Sequence, residues 1–289
     1  MDKRGPSFGE NHSGKRPSVE RVARGIRAEH KNPSVALQRQ RKALGLQAAE
    51  IHNLNHQLEH DEQSGIFNKL GFMRATEETL HEHHTTEGSV IVIDLNHFKW
   101  INDTFGHHFG DVAIVKLALA LEKNKRKDSD VVAHWHGDEF LAFAPEQNTL
   151  EDNQNELTTE QKRHERTTNL EAIKSKIENT YRESVLQAAR DTNFKKVMIA
   201  KLEDHLSAKK YTFSDGRSTI IGPITFGVHR STSLDEPGGI EQAITLADGV
   251  MYELKRARDF ALSRNDIINV EVVKVADVAD DAEAPHIAL

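Results

Sequence analysis

Val90-Ile-Val-Ile-Asp-Leu-Asn-His-Phe-Lys-Trp-Ile-Asn-Asp-Thr-Phe-Gly-His-His-Phe-Gly-Asp111 is the stretch from which the fold can be read. It opens on a β-branched run, Val90 to Ile93, that reads as a buried strand, and the strand ends in a charge, Asp94. A carboxylate at the end of a buried strand is costly unless it meets a cation, a donor or a substrate. A polar segment follows, carrying Asn102, Asp103, Gly106, Gly110 and Asp111, and then an apolar helix from Val112 to Leu121. A second element answers the first: Val131-Val-Ala-His-Trp-His-Gly-Asp-Glu-Phe-Leu-Ala-Phe-Ala144, two short apolar strands around a turn with Gly137, Asp138 and Glu139 at its tip. The strand-end acid and the two hairpin-tip acids are three carboxylates able to converge on one divalent metal.

These residues carry a resemblance. His136-Gly137-Asp138-Glu139-Phe140 resembles the GGDEF signature of diguanylate cyclases. The longer stretch is similar to that family's D-x-D-x-F-K-x-I-N-D-x-x-G-H-x-x-G-D, matched at Asp94, Phe98, Lys99, Ile101, Asn102, Asp103, Gly106, His107, Gly110 and Asp111. Upstream, Asp61-Glu-Gln-Ser-Gly-Ile-Phe-Asn-Lys69 resembles the entry motif D-x-L-T-G-L-x-N-R. Downstream, Ile224-Thr-Phe-Gly-Val228 and Ala247-Asp-Gly-Val-Met-Tyr-Glu-Leu-Lys255 resemble the S-I-G-V strand and the A-D-x-A-M-Y-x-A-K helix. Five motifs in order, over roughly residues 61–260, are far more specific than a lone G-D-E-F.

The resemblance implies an α/β (α+β) fold, a palm-like sandwich whose central, mostly antiparallel sheet is flanked by helices and preceded by an N-terminal helix. It implies condensation of two GTP molecules into cyclic di-GMP with release of two pyrophosphates, dependent on Mg²⁺ or Mn²⁺, in a homodimer. Asp94, the Leu95 carbonyl, Asp138 and Glu139 are then the metal ligands, with Asp138 and Glu139 also catalytic. Phe98, Lys99, Asn102, His107, Asp111 and Lys255 are the GTP contacts, Asn102 and Asp111 reading guanine. Guanine's adjacent N1–H and amine suit a carboxylate acceptor.

Plain structural roles stand beside these. Asp94 could cap a helix, Asn102 and Asp111 could be turn and N-cap residues, and Lys255 a solvated surface lysine. The signature's first glycine is His136, where a ring restricts positive φ. The family's arginine four positions after the helix lysine falls on Asp259, with Arg258 displaced by one. The R-x-x-D product-inhibition motif appears as Lys127-Asp-Ser-Asp130, and lysine does not replace a bidentate guanidinium. A catalytically degenerate module that binds GTP or a protein partner is therefore the alternative.

Composition bounds the rest. The 289 residues contain no cysteine, which excludes disulfides and thiolate metal sites, and no apolar run reaches the length of a membrane span. A cytoplasmic protein without a membrane span, and without a role in nucleic-acid binding, is the expectation. The formal charge of −7 is uneven: residues 1–50 hold eleven Lys/Arg against five Asp/Glu, and residues 266–289 hold six acids against one Lys. Residues 1–33 read as a disordered basic leader and 263–289 as an acidic tail. Residues 34–60 read as a helix capped by Ser34, with Leu37, Leu44, Ile51 and Leu58 on one heptad seam, hence a dimerising signalling helix. The expected domain covers 61–262, with a helix over Gly65–His83 and an insertion around 145–210. Within the insertion, 145–169 reads as a loop and 194–210 as a short helix. A hairpin over Tyr211–Val228 and an amphipathic helix over Gly239–Arg258 complete the expectation. Of the seventeen histidines, the pairs at helical spacing such as His56 and His60 read as solvated surface residues.

Overall fold

The computed structural model describes residues 33–146 and 159–273. The basic leader before residue 33, the acidic tail from 274 and the inserted residues 147–158 lie outside the described residues.

Helix α1 (Pro33–Glu59) begins on its proline, which suits a first helical position, so Ser34 lies inside the first turn and not ahead of it. Leu37, Leu44, Ile51 and Leu54 are all exposed along it. Residues up to His56 form one compact unit, and a second begins at Gln57.

Within the second unit the chain runs α2 (Lys69–Glu82), β1 (Gly88–Leu95), α3 (Phe98–Phe105), α4 (His107–Asn124), β2 (Val131–His136), β3 (Glu139–Pro145) and α5 (Thr159–Asp191). It continues with α6 (Lys196–His205), β4 (Lys209–Phe213), β5 (Ser218–Ile221), β6 (Ile224–Ser231), α7 (Gly239–Ser263) and β7 (Ile267–Val272). The main sheet is antiparallel throughout, in the order β2-β3-β1-β6. β1 is central and buried on both faces, as its β-branched run requires. Its side chains alternate: Ile93 and Leu95 join Ile114, Leu117 and Leu121 of α4 and Ile177, Tyr181 and Val185 of α5. Val90 and Val92 join Phe72 and Leu80 of α2 and Ile240, Ala243, Ala247 and Met251 of α7. The period-2 strand thus divides two cores, and helices cover both sheet faces.

Several expected boundaries move for identifiable reasons. The Gly65–His83 helix starts only at Lys69, because Gly65 sits in a turn at φ 76° and the Asn68 side chain caps the Gly71 N–H at 3.0 Å. The loop expected over 145–169 gives way at Thr159 to α5, whose inward Ile177, Tyr181 and Val185 pack on α4. The hairpin expected over Tyr211–Val228 splits at Gly222-Pro223: β4 and β5 enter a second sheet, β5-β4-β7, while β6 enters the main one. That second sheet and β7, which occupies part of the expected tail, are corrections. Arg264 fixes β7 by pairing with Asp215 at 3.0 Å and Asp266 at 2.5 Å while lying over the Phe213 ring.

One carboxyl is buried with little relief. Glu178 on α5 is 9% exposed, leaves no room for a Cβ at Gly222, and has no hydrogen-bond partner at Oε1. Burial pushes its carboxyl up to about 7, against the pull of Lys174 and a backbone N–H at Ile224. A raised folded-state value means that Glu178 favours folding below the ordinary carboxylate range and loses that contribution as pH rises through about 7. Glu178→Gln is therefore expected to raise unfolding stability by about 1–3 kcal/mol at pH 8 and by much less at pH 5. Urea denaturation at the two pH values checks this.

Candidate active site

The register of the main sheet brings the acids together. Asp94, next to last in β1, stands directly opposite Glu139, the first residue of β3, and the Leu95 N–H donates to the Asp138 carbonyl at 3.3 Å. Asp94 is 4% exposed, and its Oδ2 is 2.6 Å from Nζ of Lys255 on α7. Burial pushes the Asp94 carboxyl up to about 6; Lys255 opposes this, and the negative charges of Asp138 and Glu139 add to it. Like charges opposite one another on adjacent strands repel, so this end of the sheet favours added positive charge. The plain helix-capping role of Asp94 does not hold, since α3 has no side-chain cap.

The hairpin tip is the two-residue turn Gly137-Asp138. Positive φ falls on Gly137, at 58°, and not on His136, so the ring does not strain the turn. His136 is 66% exposed and its Nε2 lies 3.3 Å from Glu139 Oε2. Beneath the tip, His134 is buried, with Nε2 3.0 Å from the Gly137 carbonyl oxygen and Nδ1 3.1 Å from Asp61 Oδ1. Asp61 also accepts from the Ser64 amide at 2.7 Å and hydroxyl at 2.6 Å. Burial alone would raise the Asp61 carboxyl, but the Ser64 donors and His134 outweigh it and hold it below its ordinary value. The sequence motifs held Asp61 but gave no role to His134; a bulge between His134 and His136 pairs them with Phe140 and Glu139 on opposite faces, so strand alternation did not reveal it.

On the other side of Asp94 the chain enters α3 through His97, at φ 56°, and breaks at Gly106, φ 87°, before α4. Phe98 packs half-buried on the core, whereas Lys99 and His107 are exposed. Gly110 is buried against Asn102: a Cβ there would collide with Asn102 Oδ1, so glycine sets the close approach of α3 to α4. The helix expected from Val112 begins at His107, which puts Asp111 inside it and removes the N-cap role. Asp111 is exposed and accepts from Gln63 Nε2 at 3.2 Å.

Arg258 does not stand loose beside the site. It is mostly buried, donates to Asn96 Oδ1, and pairs with Asp259 at 2.7 Å, so the acid at 259 is neutralised by its neighbour. Asn96 also accepts from Thr225 Oγ1 at 2.8 Å and donates to the Gly222 carbonyl at 2.8 Å. Arg126, one residue before the expected position, is bound to Asp130 at 2.7 Å and to the Pro145 carbonyl at 3.2 Å. A cavity of about 590 Å³ borders Asn96, His97 and Trp100 and is lined also from α6, the second sheet, Gly222-Pro223 and Leu262 of α7; Asp94, Asp138 and Glu139 do not line it. Its His205 stacks on Trp100 at 4.0 Å and is pushed down to about 4 by burial, then by His97 and Lys209.

Comparison with known proteins identifies the domain. A family model described as "Diguanylate cyclase, GGDEF domain" matches residues 58–198, so this part of the chain is a GGDEF domain. The chain is 37% identical over 94 residues to the diguanylate cyclase DgcM of Escherichia coli, covering 32% of this chain and 23% of that one. It is 36% identical over 101 residues to the response regulator PleD of Caulobacter vibrioides, covering 33% and 22%. The chain thus spans under a quarter of the length of these relatives. Among solved structures, the coiled coil and GGDEF domain of DgcB from Caulobacter crescentus, in complex with c-di-GMP, aligns with a TM-score of 0.46 at 16% identity, covering 80% of this chain and 95% of that one.

The turn geometry yields a contrast. Gly137→Ala is expected to cost about 1–2 kcal/mol, because it places a side chain at positive φ. His136→Gly, at an ordinary φ, should change stability by less than about 1 kcal/mol. Thermal unfolding of the two variants beside wild type measures both.

Proposed function

We propose that this GGDEF-domain chain is a diguanylate cyclase that condenses two GTP molecules into cyclic di-GMP with release of two pyrophosphates. The observation that carries the reading is the pairing of Asp94 with Glu139 across β1 and β3, beside Asp138 and with Lys255 in contact. In this reading the 3′-hydroxyl of one GTP attacks the α-phosphorus of the other, pyrophosphate leaves, and a second such step closes the ring. Glu139 accepts a hydroxyl proton, and Lys255 brings cationic charge to the terminal phosphates. Phe98 and Lys99, at the start of α3, meet the triphosphate, Lys99 adding charge and the first-turn amides donating. Asn102 and Asp111 read the guanine edge, His107 lies alongside, and Gly110 keeps Asn102 in place.

The donor set suits Mg²⁺ or Mn²⁺: it consists of carboxylates with the Leu95 carbonyl, all hard oxygen. Asp94, Leu95, Asp138 and Glu139 would hold the ion, which when bound neutralises triphosphate charge. Among the described residues no three acidic or imidazole side chains are arranged as a metal-binding group, and Asp94 is bonded to Lys255. That bond favours a second reading, a degenerate module that binds GTP without turnover. The paired state of Arg258 and Asp259 weighs the other way, since it removes the repulsive acid expected there.

One GTP per site requires two protomers, and the exposed Leu37, Leu44, Ile51 and Leu54 of α1 support a homodimer through that helix. No helix among the described residues is long and apolar enough to cross a membrane.

Purified protein with GTP and Mg²⁺ is expected to accumulate cyclic di-GMP by mass spectrometry. Asp138→Asn should lower the rate by about 10²–10³, the scale for loss of one preorganised charged group at a reacting phosphate. GTP binding without any cyclic product would select the degenerate module instead. Leu44→Glu with Ile51→Glu should yield monomers by sedimentation and remove turnover; an unchanged dimer would exclude α1 as the interface.

A further inference from the structure

The His134 ring lies between two acceptors. Its Nδ1 is 3.1 Å from Asp61 Oδ1 and its Nε2 is 3.0 Å from the Gly137 carbonyl oxygen. A carbonyl oxygen has no proton to give, and neither has an ionised carboxylate. Neutral imidazole carries one N–H, so both contacts are hydrogen bonds only when both ring nitrogens are protonated. Asp61 is held in its ionised form by the Ser64 amide and hydroxyl as well as by His134.

We propose that His134 is a positioning residue: as an imidazolium it clamps the Gly137 carbonyl, and with it the Asp138–Glu139 tip, onto Asp61, and loss of one ring proton frees the turn. The proposal rests on the cyclase reading only in that the clamped tip carries the acids of the proposed site. The surroundings leave Asp61 as the charged partner of the ring. On β3 the ring meets Phe140, at 4.9 Å between centroids, and the His134 backbone N–H donates to the Phe67 carbonyl at 2.8 Å. On its own strand His136 turns to Glu139, and Lys69 lies over Trp135 at 4.4 Å. Next to the entry turn, His60 packs on Phe67 at 4.7 Å.

The geometry gives the clamp a direction. The Gly137 carbonyl is the first acceptor in the turn, and the next carbonyl, that of Asp138, receives the Leu95 N–H at the end of β1. The tip is therefore fastened on one side to the entry turn through His134 and on the other to β1. Releasing the first fastening cuts the tip from the entry turn, and the Asp138 and Glu139 side chains lose a fixed bearing relative to Asp94.

The test uses ¹⁵N-labelled full-length chain. Histidine ring and backbone amide spectra recorded from acid to alkaline pH are expected to display His134 with both nitrogens protonated at the acid end. Loss of one ring proton should move the Gly137, Asp138 and Glu139 amides together with it. A ring singly protonated throughout, or one that titrates while those amides stay fixed, would overturn the proposal. In the cyclization assay, turnover should fall with rising pH through the same transition. His134→Arg, whose guanidinium keeps charge and donors at every pH, should abolish that fall, and His134→Asn should lower kcat about tenfold or more with little change in KM. A fall that persists unchanged in His134→Arg would refute the clamp. Absence of any cyclic product from wild type would refute the cyclase reading alone, because the spectra decide the clamp without turnover.

Discussion

Three carboxylates held at one end of an antiparallel sheet are the constraint on which the rest of the site depends. Asp94 and Glu139 face each other across β1 and β3, Asp138 is adjacent, and burial raises the cost of charge at Asp94. Sequence-local forces do not produce such an arrangement; the register of β1 against β3, fixed by seven residue pairs from Gly88↔Pro145 to Asp94↔Glu139, imposes it. A slip of one residue would turn Ile93 and Val92 to the wrong cores along with the acid, so core packing enforces the placement of the charges. Lys255 then supplies the contact that makes the buried Asp94 tolerable. The same contact couples α7, which packs on the far core, to the end of β1.

Around that cluster, small residues and polar ties determine how closely elements approach. Gly110 lets Asn102 lie against α4, and Gly137 takes the positive φ that the hairpin turn needs. Asn96, buried just past Asp94, spends its amide on Thr225, Gly222 and Arg258, and so links β1, β6 and α7. Glu178 presses on the same Gly222 from α5, so that helix supports the strand that enters beside Asp94.

Much of this was legible in the chain. The β-branched run of β1, the Gly-Asp turn and the heptad of α1 announce themselves through periodicity and turn chemistry, and the family resemblance implied the main antiparallel sheet. The acids and Lys255 were legible through motif order. What was not legible depends on tertiary contacts. Helical spacing marks the chain from Leu170 to Ala188, but Thr159–Asn169 is wholly polar, so no periodicity shows that the helix begins there. The apolar run 219–228 reads as one strand, yet Gly222-Pro223 divides it between two sheets. β7 was hidden because Ile267–Val272 pairs with β4, some sixty residues earlier, and most of it is exposed. His134 carried no signature of its own; its role appears only when Asp61, from the entry turn, comes to its ring. Strain at His136 likewise turned on which turn position takes positive φ, and that position is Gly137.

The central claim is that acids separated by more than forty residues of sequence act together as one cation site for a nucleotide. Electron paramagnetic resonance of Mn²⁺, titrated into the full chain with a non-hydrolysable GTP analogue, addresses it most directly. One tightly held Mn²⁺ per chain, lost in both Asp94→Asn and Asp138→Asn, is the result the account predicts. Mn²⁺ held equally well by either variant would contradict it.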